Sequence, residues 1–387
     1  MLMNRSNWES SRMAKKPVRL ALLCCGLFLS PVFEARSSPL TNIQTVFVIV
    51  MENKDWTAIH GNSDCPYINN TLLSVASHAE QYFSPPGLVK SEPNYLWLEA
   101  GTNFGINNDD LPAANHISTA KHLVTLLENA GISWRTYQES YNPGDNPGVD
   151  NRPYIAHHNP FVYFDDIANN PGRLAKHVRP YSELAGDLKR NNVARYNFIT
   201  PNVTNDMHSL ALDSNSKEKQ GDNWLARELP AILSSPAYTN HGALFLTWDE
   251  DSNDNGRPIG LILLSPLAKG HGYSNSIRYS HSSLLRTVQT IFGVGPFLGD
   301  AANATDLADL FVADSLVLSA SLKFTNGLPW LTFNGLNADR TNVIQTSSNL
   351  LDWLSLSTNL STVIAFGFAD HTATNQRQRF YRALELR

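Results

Sequence analysis

Two short acidic clusters in this 387-residue chain combine residue types that bind hard cations. Glu52-Asn53 follows one apolar run, and Asp249-Glu250 follows another. Carboxylate and amide oxygens are the ligands that Mg²⁺ and Ca²⁺ prefer. Either cluster alone is equally typical of a helix cap or a solvated turn. Together they predict a site for one divalent cation, with Mg²⁺ or Ca²⁺ favoured.

Ser91 is a candidate nucleophile. It opens the sequence Ser-Glu-Pro-Asn-Tyr, which is typical of a helix start because a hydroxyl, an acid and a proline share the first turn. A hydroxyl at this end of a helix faces unpaired backbone N–H groups, which favour both an alkoxide and a bound phosphate. The pattern predicts Ser91 as the N-cap residue, and an ordinary cap without catalytic function is the alternative.

Three histidines are candidates for binding phosphate or for protonating a leaving group. His208 follows a predicted strand, His158 lies in the sequence His-His-Asn-Pro-Phe, and His281 lies at a predicted helix start. The chain contains 12 histidines, so a structural or surface role stays open for each of the three.

The elements that must position these residues alternate between short apolar runs and amphipathic stretches, which indicates βα units around a mostly parallel sheet. The carboxyl ends of such strands meet at one edge, where ligands bind. The predicted strands are 45–51, 132–137, 195–199, 243–248 and 259–265. The predicted helices are 71–78, 118–129, 182–190, 222–233 and 282–292.

The two ends of the chain differ from its middle. Basic residues, an apolar run at 20–30 and small residues near 35–38 predict a signal peptide over residues 1–38, although a buried helix or an anchor is the alternative. Its removal takes away six basic and two acidic residues, so the formal net charge changes from −5 to −9, which argues against nucleic-acid binding. Alternating runs after Asp314 predict a small all-β module at 318–387, unless they extend the domain predicted at 41–313.

Taken in order, the motifs resemble the phosphoesterase family of bacterial and fungal acid phosphatases and phospholipases C. The resemblance covers residues 43–312. The motifs are Met51-Glu52-Asn53, Ser91 to Tyr95, Trp134 to Glu139, His158 to Phe161, Asn205 to His208, Gly221 to Trp224 and Thr247 to Glu250.

This resemblance implies an alkaline-phosphatase-like three-layer α/β sandwich. It also implies that Glu52, Asn53, Asp249 and Glu250 bind the cation. Ser91 would then be the nucleophile that forms a phosphoserine, His158 and His208 would surround the phosphoryl group, and Asn94 and His281 would contact substrate. The family has histidine where this chain has Val89, which puts one phosphate contact in doubt.

The sequence therefore predicts a secreted or periplasmic, metal-dependent phosphoesterase, most simply a phosphomonoesterase of the acid phosphatase type. The alternatives are a phospholipase C or other phosphodiesterase, and a secreted binding protein without activity. The expected substrate is a small phosphoester, with a lipid as a further option. The C-terminal module resembles small β modules of exported bacterial hydrolases, which implies surface attachment or sorting rather than catalysis.

Overall fold

The computed structural model describes residues 39–212, 214–252, 255–312, 319–325, 328–334, 340–361, 365–373 and 379–386. The predicted signal peptide lies outside these residues, as does the predicted boundary near Asp314. Within the described ranges, no helix is both long enough and apolar enough to span a bilayer.

The chain before Phe311 is built on an eight-stranded, mostly parallel sheet with the strand order β5-β4-β6-β1-β7-β8-β2-β9. Only β8 runs antiparallel to its two neighbours. A separate parallel pair joins β3 to β10. The strands are β1 (Thr45–Met51), β2 (Ser77–Ala79), β3 (Tyr82–Phe83), β4 (Trp134–Gln138), β5 (Val178–Pro180), β6 (Tyr196–Thr200), β7 (Gly242–Trp248), β8 (Leu261–Leu264), β9 (Tyr273–Asn275) and β10 (Tyr279–Ser280).

Eleven α-helical segments lie in the described part of this region. They are α1 (Trp56–Ile59), α2 (Leu73–Val75), α3 (Ser91–Ala100), α4 (Pro112–Asn115), α5 (Leu123–Asn129), α6 (Asp165–Ala168), α7 (Pro171–His177), α8 (Leu184–Lys189), α9 (Lys217–Leu233), α10 (Pro236–Thr239) and α11 (His281–Phe292). A π-helical turn spans Ile68–Leu72, and 3-10 turns span Pro39–Asn42, Ala156–His158, Pro160–Val162, Tyr181–Glu183, Gly299–Ala302 and Ala308–Leu310.

The direction of the crossovers explains why helices form a layer on each face of the sheet. From β2 the chain passes through α3 and α5 to β4, which lies five positions along the sheet in one direction. It passes from β6 through α9 to β7, two positions in the other direction. Because such crossovers are right-handed, these helices lie on opposite faces. The packing agrees, since α3, α5 and α11 contact one another, while α9 contacts both α8 and α10. The predicted three-layer α/β sandwich is confirmed.

The core strands follow their sequence closely. β1 and β7 are apolar almost throughout and are buried on both faces, as expected for central parallel strands. The two strands pair in parallel from Thr45 opposite Gly242 to Met51 opposite Trp248. Their carboxyl ends therefore finish side by side.

One predicted element is wrong. The sequence at 71–78 predicts a single helix, but α2 ends at Val75 and the backbone at Ala76 is extended. Ser77–Ala79 instead forms β2, which pairs with β8 on one side and β9 on the other. These cross-strand hydrogen bonds override the local helical preference, which is a weak determinant of structure.

The C-terminal β module is confirmed as two three-stranded antiparallel sheets, with orders β11-β12-β15 and β14-β13-β16. Leu331 and Ile344 form a small apolar cluster there, with Phe368 and Tyr381 packed against it. The strands are β11 (Ser319–Thr325), β12 (Leu328–Asn334), β13 (Arg340–Ser347), β14 (Leu354–Ser361), β15 (Ala365–Ala369) and β16 (Phe380–Leu386).

Candidate active site

Three strands deliver polar residues to one edge of the sheet. β1 ends at Met51 and is followed by Glu52, while β7 ends at Trp248 and is followed by Asp249. β6 lies on the other side of β1, and the loop after it carries Asp206. The crossovers from β2 to β4 and from β6 to β7 pass β1 in opposite directions along the sheet, so the direction of the connections reverses around β1. Open α/β sheets bind ligands there, outside the carboxyl ends of the strands.

Ser91 lies over this edge as the first residue of α3, and its Oγ donates a hydrogen bond to Glu52 Oε2 at 3.1 Å. The prediction that Ser91 is the N-cap is wrong by one residue, because Lys90 has the extended cap conformation. Asp109 Oδ1 accepts from the Glu92 backbone N–H instead. Since Asp109 provides this cap, the Ser91 hydroxyl points at Glu52 rather than back at its own helix.

Glu52, His158 and Asp206 form a buried cluster whose ligand atoms all lie within 4.8 Å of one another. His158 Nε2 is 3.3 Å from Glu52 Oε1, and His158 Nδ1 is 3.4 Å from Asp206 Oδ2. The His158 ring also stacks on Tyr95, whose hydroxyl donates to Glu52 Oε1 at 2.8 Å. Sequence reasoning missed Asp206, although the motif that contains it was noticed.

Asn53 and Asp249 complete this edge. Asn53 has a φ of +36°, an uncommon conformation for a residue with a side chain, and its N–H donates to Asp249 Oδ1 at 2.9 Å. Asn53 Oδ1 and Asp249 Oδ2 are buried and have no hydrogen-bond partner among the described residues. Both oxygens are therefore available as ligands.

Glu250 has a different role from the one expected of a ligand. Its Oε1 accepts a hydrogen bond from Asn53 Nδ2 at 2.7 Å, and its Oε2 accepts one from Asn94 Nδ2 at 2.9 Å. A carboxylate accepts only, so it fixes the orientation of both amides. Asn94 Nδ2 also donates to the Lys90 carbonyl, which leaves Asn94 Oδ1 as the buried atom without a partner. The structure thus places Glu250 behind the two asparagines that it orients.

The predicted histidines occupy three different environments. His158 is buried, and burial lowers its pKa to about 3. His208 is exposed at the mouth of the site, with its ring centroid 6.3 Å from that of His158. His281 lies beneath the site and is fully buried. Its Nε2 contacts the Asp249 carbonyl at 2.6 Å, and its Nδ1 contacts the Tyr82 hydroxyl at 3.0 Å. With both nitrogens engaged, His281 supports Asp249 rather than reaching toward a substrate.

A second carboxylate outside the predicted set holds the loop that carries Asp206 and His208. Glu139 Oε2 accepts from the Asn202 backbone N–H at 2.8 Å, both Glu139 oxygens accept from Asn205 Nδ2 at 2.9 Å, and Oε1 accepts from Trp224 Nε1 at 3.1 Å. These contacts explain why Glu139 and Trp224 occur within the motifs noticed in the sequence.

Gly221 packs against the same loop, and its lack of a side chain leaves room for a residue of that loop. Met207, between Asp206 and His208, is fully buried with a φ of +82°. A Cβ added at Gly221 would lie 2.4 Å from the Met207 Cγ atom. Glycine therefore provides the space that the Met207 side chain fills.

The chemistry of the donors fits a divalent cation. Burial raises the pKa of Glu52 well above its usual range, and Asp249 and Asp206 raise it further. Burial also raises the pKa of Asp206 to about 8 and that of Asp249 to about 7. Buried carboxylates this close together must hold protons or share a cation. The oxygen donors suit Mg²⁺ or Ca²⁺, and the His158 imidazole extends the choice to Zn²⁺.

The sequence profile described as Phosphoesterase family matches residues 64–295, more than half of the chain. The chain belongs to the phosphoesterase family. The predicted resemblance is confirmed, and so is the prediction of a phosphoric ester hydrolase at the level of this family.

Several curated proteins resemble this phosphoesterase. It is 28% identical over 291 residues to a phosphatidylinositol-3-phosphatase from Mycobacterium tuberculosis, a match that covers 75% of this chain and 90% of that protein. It is 30% identical to an acid phosphatase from Aspergillus niger, over 68% of this chain and 62% of that one. Among solved structures, murine ectonucleotide pyrophosphatase/phosphodiesterase 5 matches with a TM-score of 0.46 and 12% identity, over 70% of this chain and 100% of that one.

Proposed function

We propose that this phosphoesterase is an exported, cation-dependent phosphomonoesterase of the acid phosphatase type that works through a phosphoserine at Ser91. One observation carries the proposal. Ser91 is the first residue of α3, and its hydroxyl donates a hydrogen bond to the buried Glu52 carboxylate. The relatives support the choice of a monoester, since their names are acid phosphatase and phosphatidylinositol-3-phosphatase.

The buried oxygens of Glu52, Asn53, Asp249 and Asp206 would hold the cation, with the neutral His158 imidazole as a further donor. A bound divalent cation neutralises phosphoryl charge and favours the ionised form of a nearby hydroxyl. This set keeps three residues of the predicted ligand set and adds Asp206. Glu250 remains important because it turns the Asn53 amide oxygen toward the cluster.

The residues of the chain perform the transfer in two steps. Ser91 Oγ attacks phosphorus while its proton passes toward Glu52 Oε2, and the bond from phosphorus to the alcohol oxygen breaks. The Glu92 N–H donates to Asp109 and Pro93 has no N–H, so the Ser91 backbone N–H is the first-turn amide of α3 that would stabilise the negative oxygens of the transferred group. Water then attacks the phosphoserine, which releases inorganic phosphate and restores the Ser91 hydroxyl.

His208 is suited to protonate the departing alcohol because it lies at the mouth of the site. Partial desolvation lowers the pKa of the His208 ring below its ordinary value near 6.5. The charge of Asp206 raises this pKa, but by less than desolvation lowers it. The protonated form that donates to the leaving group is therefore populated at lower pH than in an ordinary histidine. Activity that depends on this proton should rise as the pH falls through the His208 pKa, which supports an acid optimum.

Export, the domain boundaries at 41–313 and 318–387, and a role of the C-terminal module in surface attachment or sorting are parts of this proposal. They rest on the composition of residues 1–38 and on the change of pattern after Asp314.

The deciding experiment compares the wild type with Ser91→Ala in the presence of Mg²⁺, Ca²⁺ or Zn²⁺. The substrates are 4-nitrophenyl phosphate and phosphatidylcholine. We expect the wild type to cleave the monoester and Ser91→Ala to lose at least about a thousandfold in kcat. Ser74→Ala is the matched control, because the Ser74 hydroxyl is at the surface and donates to the Thr71 carbonyl. Preference for the lipid would indicate a phospholipase C, and full activity of Ser91→Ala would remove Ser91 from the mechanism.

A further inference from the structure

A small cavity lies beside the Ser91 site, between the loop that leads to α3 and the residues that follow β7. Its volume is about 120 Å³. A protein cavity of about 150 Å³ holds one benzene molecule, so this space suits a single aromatic ring. Its walls include Phe83, Pro85, Leu88, Val89, Glu250 and Arg278. We call it the loop cavity.

The position of the loop cavity relates it to the proposed reaction. Val89 lies two residues before Ser91. On the opposite wall, Glu250 is hydrogen-bonded to Asn94, in the first turn of the helix that Ser91 begins. An ester whose phosphorus lies at Ser91 must direct its alcohol away from the buried carboxylates. The loop cavity is lined by Glu250 and by the segment that leads to Ser91.

Apolar residues form part of the exposed wall of the loop cavity. Val89 is 42% exposed, and Leu88 is half-buried. Exposed apolar groups that cluster around a concave surface next to reactive residues are typical of ligand sites.

Arg278 makes part of the wall flat. Its guanidinium carbon lies 3.8 Å from the centroid of the Phe83 ring, in a cation–π contact. Among the described residues, Arg278 has neither a hydrogen bond nor an ion pair, so this contact alone holds it. A planar cation stacked on a ring offers a flat surface that matches another planar group.

The charges on the cavity wall select among planar groups. Glu250 and Asp251 line it together with the cation of Arg278, so the wall carries a net negative charge, which disfavours an anionic alcohol. We propose that the loop cavity is the leaving-group subsite and that it selects aryl phosphomonoesters whose aromatic alcohol is uncharged, such as phenyl phosphate or a phosphotyrosine side chain. The inference rests on the proposed function and names its substrate class.

The test measures kcat/KM for phenyl phosphate and for glycerol 2-phosphate, whose alcohol has no ring. The variants are Leu88→Ala, which removes part of the wall, and Val89→Thr, which keeps the shape and adds a hydroxyl. Each variant is compared with the wild type on the same substrate, so the intrinsic reactivity of the two esters cancels. Val75→Thr, at a 58% exposed valine elsewhere, is the control.

We expect Leu88→Ala to lower kcat/KM for phenyl phosphate about tenfold, because a small change in an apolar pocket alters discrimination by at least that factor. We expect Val89→Thr to lower it severalfold. Glycerol 2-phosphate should change less than twofold. Equal losses on both substrates, or no loss on phenyl phosphate, would overturn the subsite while leaving the phosphomonoesterase intact.

A binding measurement separates this inference from the proposed function. Calorimetry with phenylphosphonate and methylphosphonate, neither of which can be cleaved, reports the contribution of the ring without turnover. The wild type should bind phenylphosphonate about tenfold more tightly, and Leu88→Ala should lose most of that preference. If the wild type cleaves neither ester but shows this preference, the proposed function fails, and the loop cavity is a binding site for an aromatic ring without a role in catalysis. Equal affinity for the two phosphonates in the wild type would refute the subsite.

Discussion

Replacement of Glu139 by glutamine tests whether the loop with Asp206 and His208 is held by a carboxylate. Glu139 accepts hydrogen bonds through both oxygens, from Asn202, Asn205 and Trp224. Glutamine keeps one oxygen and replaces the other by an NH₂ group, which is a donor. Whichever way the amide turns, either the Asn202 N–H or the Trp224 Nε1–H group faces another donor and loses its partner.

The expected magnitude follows from the hydrogen bonds lost. A hydrogen bond to a charged group contributes about 1.5–3 kcal/mol. If this energy is what holds the loop in its active arrangement, kcat should fall about 10- to 100-fold, because about 1.4 kcal/mol corresponds to a factor of ten. The affinity for the divalent cation should fall as well, since Asp206 moves with the loop. Unlike a general loss of stability, these two effects should occur in protein that is fully folded.

The assay combines steady-state kinetics with 4-nitrophenyl phosphate, cation titration by calorimetry and a circular dichroism spectrum. Glu183→Gln is the matched control, because Glu183 pairs with Arg179 and makes no hydrogen bond to the 202–209 loop. We expect Glu183→Gln to behave like the wild type. A folded Glu139→Gln variant with kcat and cation affinity within twofold of the wild type would refute the positioning role of Glu139.

Two further predictions concern buried acids. Asp206→Asn should weaken cation binding at least about tenfold in calorimetric titrations. Asp110→Asn, at an exposed acid of the nearby loop, should leave the cation affinity unchanged. Equal cation affinities of Asp206→Asn and the wild type would exclude Asp206 as a ligand. Burial raises the pKa of Glu99 from 4.5 to about 8, so the folded chain holds its proton more tightly than the unfolded chain does. Stability should therefore fall as the pH rises from 4.5 to 8, by up to about 5 kcal/mol at 1.36 kcal/mol per pKa unit. Glu99→Gln can still accept the hydrogen bond from the Tyr196 hydroxyl. In urea unfolding, this variant should show a weaker dependence of the free energy of unfolding on pH than the wild type, and the same dependence in both proteins would contradict the prediction.

The central strands could be predicted from the sequence because their burial leaves a continuous apolar run. The run at 45–51 became β1 without change, and the run at 243–248 became β7 with one added residue. Glu52 and Asp249 could be placed for the same reason, since a strand end fixes the position of the next residue. The 71–78 segment could not, because its pairing with β8 and β9 depends on residues nearly 200 positions away.

The rest of the candidate site depends on side-chain directions that spacing does not reveal. Asp206 lies within a loop whose path is fixed by Glu139 and Gly221, far away in sequence. Glu250 follows Asp249 directly, yet its carboxylate accepts from two amides, because the chain bends at these two residues after β7 ends at Trp248. The sequence did contain one indication of Asp206, because this acid lies two residues before the candidate histidine His208.

The buried carboxylates around Glu52 also couple cation binding to folding. A cation that binds only the folded chain adds RT ln(1 + [L]/Kd) to the free energy of unfolding, which is about 2.7 kcal/mol at a concentration of 100 times Kd. The melting temperature should therefore depend on the free cation concentration even when no substrate is present. If the chain is exported, as proposed, and meets its cation only outside the cell, it would cross the membrane in its less stable form. Binding of the ion would then increase its stability at its destination.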